Sequence, residues 1–380
     1  MIAATLVAMS LAAPAPAGWP TAGWRESTPA AQGLDAAALE SLSAELAAGK
    51  QGYVDGMLVI RHGRVVFERS YRQDYEALFA KAKDRHRDIY NYYDPAWHPF
   101  YQKTRLHTMQ SVSKSVTSAL VGIAIGRGQI RDVGVEAAPF FDAYRTNAND
   151  PRFKAMRLRD LLTMTSGIKW DEDTVAYTDP ANSCAAMEAS QDWVQFVLAQ
   201  PMADEPGKRF VYNSGVTELL AQVLKKATGQ HADEYAAAHL FTPLGVKSFR
   251  WKHTPTGHPD TEGGLYLEPR DLAKLGLLYM KDGVWDGKRL LPEGWVAAST
   301  APHVVAAEPG FQYGYQWWVI EPTAAAPPVF AARGYGGQYL LVVPSLDLIA
   351  VFTGWNIWDK PELDIVYALE GVLKAVKADR

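Results

Sequence analysis

The stretch Met109-Gln110-Ser111-Val112-Ser113-Lys114-Ser115-Val116-Thr117-Ser118 opens a long apolar helix that runs to Ile125. Val112, Leu120, Ile123 and Ala124 supply its apolar positions, and Gly128 can end it. Three residues apart on a helix, Ser111 and Lys114 face the same way, so the amine reaches the hydroxyl. In the first turn, the helix N-terminus favours negative charge developing at Ser111. A lysine partly removed from water, with other cations near it, gives up its proton more readily and can act as a base. Spacing alone does not select this pair, because Ser166-Gly167-Ile168-Lys169 repeats it. There Gly167 breaks the helix directly after the serine, so Lys169 need not face Ser166. Ser111 is the candidate nucleophile and Lys114 its partner.

Outward from this helix, the period of the apolar residues changes several times. Leu34–Lys50 reads as a helix capped by Asp35, with Leu39, Leu42 and Leu46 on one face. Met57–Tyr71 reads as a hairpin turning at His62-Gly63. Residues 72–106 are aromatic and charged without clear period, a loop long enough to suggest a lid or a self-packed surface excursion. From Pro139 to Gly245 the pattern is helix and loop, with helices over Leu158–Met164, Gln191–Ala199, Gly215–Ala227 and Ala232–Leu240. Two more helices are expected over 269–282 and 292–300. Strands follow at Gln316–Ile320, Val329–Ala332, Tyr339–Val343 and Leu348–Thr353, and a closing amphipathic helix spans Pro361–Lys377.

Strands at both chain ends must pair to avoid open edges. The expected fold is therefore α/β (α+β): an antiparallel sheet of five-stranded type flanked by helices, with an inserted all-helical lobe. Residues 19–138 and 259–380 would form the sheet domain and 139–258 the helical lobe. The cleft between them is the natural place for a site.

The bulk composition excludes several classes of function. Of 380 residues, 48% are hydrophobic and 21% charged, as in ordinary folded soluble proteins. A net charge of -4 lacks the basic excess of a nucleic-acid partner. The local basic run Lys81, Lys83, Arg85 and Arg87 reads as a solvated loop. The single cysteine, Cys184, rules out an intrachain disulfide and a thiolate metal site, and is expected to be inert. There is no G-x-S-x-G, H-E-x-x-H or G-x-x-x-x-G-K motif. His253 and His258 read as loop residues and His107 as a satisfied structural histidine, so neither metal nor cofactor is expected.

Residues 1–18 form a small, apolar, Ala/Pro-rich leader. It resembles a signal peptide without its positive start, which favours a periplasmic or secreted protein over a cytoplasmic one. No later run reaches the ~20 apolar residues of a membrane span. The sequence carries no signal for an oligomeric state.

The Met109–Ser118 stretch resembles the nucleophile helix of the β-lactamase-related serine hydrolases. That group holds class C β-lactamases, D-amino-acid peptidases, esterases and 6-aminohexanoate-dimer hydrolases. Asp160-Leu-Leu-Thr-Met-Thr-Ser-Gly167 resembles the segment that follows that helix in the family. Pro206-Gly-Lys-Arg-Phe-Val-Tyr212-Asn-Ser214 resembles its Y-x-N element, and Arg333-Gly334-Tyr335-Gly336-Gly337-Gln338 its glycine-bearing third motif. The similarity runs in order from about Trp19 to the closing helix.

The resemblance implies that Tyr212 is a second catalytic partner, as phenolate or as a proton relay with Lys114. It also implies an oxyanion hole from the backbone N–H groups of Ser111 and Tyr335, with Gly336 as the alternative register. Ser214 stands where the family has Asn, and a hydroxyl lacks an amide's paired donor and acceptor. Arg333-Gly334-Tyr335-Gly336 lacks the third motif's Lys or His, although Arg333 could replace it. Both departures argue against β-lactams and peptidoglycan stems. The expectation is an acyl-enzyme hydrolase of small-molecule esters or amides, near the aminohexanoate-hydrolase and esterase branches. The alternatives are a D-alanyl-D-alanine-type peptidase or weak β-lactamase, and a non-catalytic binding or sensor homologue.

Overall fold

The two ends of the chain build one sheet. From the first 70 residues come β1 (Arg25–Glu26), β2 (Val54–Arg61) and β3 (Arg64–Ser70). The turn between β2 and β3 is His62-Gly63, with φ of 51° and 68°. Positive φ at both positions gives a two-residue turn the twist that flanking strands need. This is a computed structural model; it describes residues 18–71, 73–75, 77–78, 104–147, 149–323, 327–356 and 362–377. The expected leader, the Lys81–Arg87 basic run and most of the 72–106 loop lie outside the described residues.

Short strands β4 (His107–Thr108), β5 (Arg250–Trp251) and β6 (Leu265–Leu267) make a separate small sheet, with β6 central. A further hairpin pairs β7 (Val284–Trp285) with β8 (Lys288–Arg289). The C-terminal part adds β9 (Val304–Val305), β10 (Phe311–Tyr313), β11 (Trp318–Ile320), β12 (Val329–Gly334), β13 (Gln338–Val343) and β14 (Leu348–Gly354). The large sheet has nine strands in the order β1-β3-β2-β14-β13-β12-β11-β10-β9. Only the β1–β3 pairing is parallel. The expected five-stranded core is β3-β2-β14-β13-β12, and short edge strands extend it on both sides.

Both faces of this sheet are covered. Along β13, Leu340 and Val342 point into the core holding Val112, Leu120 and Leu277. Tyr339, Leu341 and Val343 point the other way, against Leu39, Leu42, Ile365 and Leu369. Burial on both faces is why Gln338–Val343 and Leu348–Gly354 are apolar without alternation. On the second face lie helix Ala36–Ala47, capped by Asp35 Oδ1 on Ala37 N–H (2.8 Å), and helix Ile365–Leu373. The closing helix is shorter than expected because Asp364 takes its N-cap, accepting from Tyr367 N–H at 2.7 Å.

On the first face, helices Val112–Gly126 and Pro269–Met280 pack against the sheet, and helix Ser214–Thr228 packs over Val112–Gly126. Residues Val112–Ala124 are all buried, so this helix is covered all round rather than along one stripe. The expected single helix over Ala232–Leu240 is instead Ala232–Ala236 followed by a wide π-type turn, Ala237–Phe241. Pro243 lacks an N–H and its ring crowds the carbonyl four residues back, which the wider turn relieves. The strand expected from Gln316 begins at Trp318, since Gln316 has φ of 60° and its backbone N–H goes to Leu162 O. Among the described residues, no helix is long and apolar enough to cross a membrane.

Candidate active site

β4 delivers the chain to Ser111 through a sharp elbow. Gln110 takes φ of 47°, rare for a residue with a side chain, and its Nε2 donates to Thr108 Oγ1 at 3.0 Å. Ser111 then occupies the N-cap position of the Val112–Gly126 helix, yet its hydroxyl makes no capping bond. It accepts instead from Lys114 Nζ at 2.8 Å. Lys114 is 1% exposed and also donates to the Glu262 carbonyl (2.9 Å) and Glu262 Oε2 (3.0 Å). Tyr212 completes the group. It lines the same cavity as Ser111, its ring stacks on Trp318 at 5.7 Å, and Lys114 Nζ lies 5.3 Å from its centroid.

The charges in this group pull against their burial. Burial favours the neutral amine of Lys114, but Tyr212, Glu262 and Glu172 outweigh it and hold the ammonium well above its usual pKa. Burial pushes the Tyr212 phenol up, and Lys114 brings it only part of the way back. Glu262 is buried too, yet the Lys114 charge and the hydrogen bond from Lys114 bring it below the ordinary carboxylate range. Burial lifts Glu172 to about 7 against the opposing pull of Lys114 and the Ser214 N–H.

Ser214, where the family has asparagine, is turned to Glu172. Its hydroxyl and N–H both donate to Glu172, at 2.8 Å each, and it is buried rather than facing the cavity. Glu172 also accepts from Trp170 Nε1 and, at 3.0 Å, from the Tyr177 hydroxyl. The single proton of the Ser214 hydroxyl is thus spent on the Glu172 carboxylate.

A cavity of about 420 Å³ opens onto Ser111 and Tyr212. Tyr177, Phe210, Trp318 and Tyr335 give it aromatic walls, and Asp173, Glu308 and Glu362 line it with acid. Arg333 also lines it but does not offer an unengaged cation for a substrate carboxylate. Its guanidinium pairs with Glu308 at 2.5 Å and Glu362 at 3.5 Å, over the Trp318 ring. As a stand-in for the family's Lys, Arg333 would act with two carboxylates already beside it. Gly334 lies so close to the elbow that a Cβ would sit 2.4 Å from Met109 O. The Gly336 N–H is committed to Glu362 Oε2 at 2.9 Å, which disfavours the alternative register for oxyanion binding.

The remaining sequence candidates fall outside this cluster. Ser166 Oγ accepts from Ile168 N–H at 3.3 Å, and Lys169 is exposed. His107 is buried, with Nδ1 on Thr108 O and Nε2 on Asp55 Oδ2, each at 2.9 Å, so it ties β4 to β2. His253 pairs with Asp233 at 3.1 Å. Among the described residues, Cys184, Glu188 and Glu262 bring three ligand-type atoms within 4.8 Å of one another. Their chemistry does not fit a metal ion, because Glu262 already has a cation in Lys114 at 3.0 Å and burial keeps the Cys184 thiol protonated. Glu172 and Glu262 are absent from the sequence reading. The only sequence signals near them are Asp171-Glu172-Asp173 and Glu262-Gly263-Gly264, neither of which states a partner.

Comparison with known proteins places the family and the fold. The Beta-lactamase family model matches residues 39–359, and the chain belongs to that family. A 6-aminohexanoate-dimer hydrolase of Paenarthrobacter ureafaciens is 26% identical over 276 residues, 67% of each chain. The fold is shared with a candidate 6-aminohexanoate-dimer hydrolase from Bacillus anthracis, at TM-score 0.69 and 20% identity over 95% of this chain and 89% of that one. It is also shared with EstCE1, a hydrolase with promiscuous acyltransferase activity, at TM-score 0.66 and 16% identity over 90% and 98%.

Proposed function

We propose that the protein is a serine hydrolase that cleaves small uncharged or cationic esters or amides through an acyl-enzyme. The observation that carries this reading is the Ser111 hydroxyl, withheld from its helix cap and held by Lys114 at 2.8 Å with Tyr212 beside it. In the reacting form, the Lys114–Tyr212 pair has given up one proton, and the two groups titrate as a unit. Ser111 Oγ attacks the carbonyl carbon while its proton passes to that pair. The backbone N–H groups of Ser111 and Tyr335 would hold the oxyanion. The leaving alcohol or amine departs with the proton, and water then attacks the acyl carbonyl by the same route.

The cavity supports the substrate class. With Arg333 occupied by Glu308 and Glu362, three acids and one spent cation face the substrate. A carboxylate-bearing β-lactam or peptide stem would meet repulsion there.

Turnover of p-nitrophenyl acetate and labelling by a fluorophosphonate probe test the reading. The Ser111→Ala variant is expected to lose both, with turnover down by about 10³-fold or more. Labelling that persists in that variant, or maps to Ser166, would sink the assignment. A single stoichiometric burst without turnover in the wild type would favour the sensor alternative.

A further inference from the structure

Lys114 sits in a ring of buried charge that the Ser111–Lys114–Tyr212 reading leaves unused. Glu262 touches its ammonium twice, through the carbonyl and through Oε2. Every element packed around Glu262 adds a titratable group. Helix Ser183–Glu188 brings Cys184 and Glu188, whose side-chain atoms lie within 4.8 Å of the Glu262 carboxylate. Helix Ser214–Thr228 brings Glu218, whose Oε1 accepts from the Glu262 N–H at 3.0 Å. In the same loop, Asp260 pairs with Lys252 at 3.3 Å. Glu172 and Tyr212 act on Lys114 from the cavity side. Burial and the charge of Glu262 raise Glu188 well above its usual pKa, whereas Glu262, beside the Lys114 ammonium at 3.0 Å, is held low.

Counting hydrogens shows what Glu262 does. An ammonium has three, and Ser111 Oγ, Glu262 O and Glu262 Oε2 are three acceptors for them. Once one proton is lost, two N–H bonds remain for Glu262 and the lone pair is left facing Ser111 Oγ. One residue therefore fixes the direction of the amine in both protonation states. The same carboxylate, 3.0 Å away and shielded from water, favours the charged state.

We propose that Glu262 is a positioning residue that aims Lys114 at Ser111 and delays formation of the reacting form until the solution turns alkaline. This rests on the reading of Ser111 and Lys114 as the reacting groups. Glu262 does not touch the substrate; it acts through Lys114. An amide at this position would keep an acceptor for Nζ while removing the charge, so the Lys114–Tyr212 pair would release its proton at lower pH.

The test is kcat/KM for p-nitrophenyl acetate, and the rate of fluorophosphonate labelling, from about pH 6 to about pH 10. In Glu262→Gln, the ascending limb should move to the acid side by about one pH unit. Well below the limb, that is about a tenfold gain relative to the plateau. Glu262→Asp, which keeps the charge, should leave the limb near its wild-type position. An unmoved limb in folded Glu262→Gln, or one moved to the alkaline side, overturns the proposal. The wild type supplies a second check that needs no variant to fold. Its kcat/KM should still be rising on the alkaline side of neutrality, and a plateau already reached at neutral pH overturns the proposal. Label surviving in Ser111→Ala would instead defeat the underlying reading. A Ser111-dependent label with an unmoved limb defeats the role of Glu262 alone.

Discussion

Ser111–Lys114 and Ser166–Lys169 share a spacing and little else. The first pair lies on a helix of 15 residues that is covered on all sides, and the amine meets the hydroxyl at 2.8 Å. The second lies past the end of the five-residue helix Leu158–Leu162. There Gly167 has φ of 77°, the Ser166 hydroxyl is turned to Ile168 N–H, and the lysine is exposed. A three-residue spacing brings side chains together only where the backbone is helical. The contrast also separates two uses of a serine next to tight backbone. The Ser166 hydroxyl braces a turn, and the Ser111 hydroxyl is kept out of its cap.

The largest expected effect that would break this contrast comes from removing each lysine. Lys114→Met should lower ester turnover by about 10³-fold, with the folded fraction checked by near-UV circular dichroism. An active Lys114→Met protein would mean that the helical pair has no privilege over the turn. Next in size is Gly167→Ala, whose Cβ would lie 2.3 Å from Asp204 O at a φ that side chains disfavour. Urea unfolding should show a loss of about 1–3 kcal/mol, with turnover per folded molecule unchanged. Equal stability would show that the second turn is not held by its backbone. Smallest is Lys169→Met, which should change turnover by less than about twofold, because the side chain is exposed. A larger change in that assay would place Lys169 nearer the chemistry than the structure does.

Much of the fold was legible because its signals are local. Asp35 caps its helix as expected, and His62-Gly63 turns the first hairpin. The apolar runs around Leu341 and Val351 are strands of the covered sheet. Ser111, Lys114 and Tyr212 were legible through ordered motifs, and the structure brings them together. Edge strands of two or three residues were missed, since Val304–Val305 and Phe311–Tyr313 are too short to show a period. The acids of the site were missed for a different reason. Glu262 reaches Lys114 from 148 residues away, and nothing in Asp260-Thr-Glu262-Gly-Gly states that a lysine will meet it. The pairing of Arg333 was not legible either, because its two carboxylates, Glu308 and Glu362, lie 25 and 29 residues away. Charge in a sequence shows what a residue carries, and only packing shows what it has already met.

The pairing of β2 with β14 sets a timetable. Arg61 lies opposite Leu348, and Val54 opposite Gly354, so β2 has no neighbour on that side until residues near 354 exist. At about 5–20 residues per second of synthesis, the wait is roughly 15–60 s. During that time the β2–β3 hairpin holds an unpaired edge built from Met57-Leu58-Val59-Ile60. The nascent chain therefore carries this edge, open to wrong strand pairing, for most of its own production. The helix bearing Ser111 cannot find its place on the sheet before that interval ends.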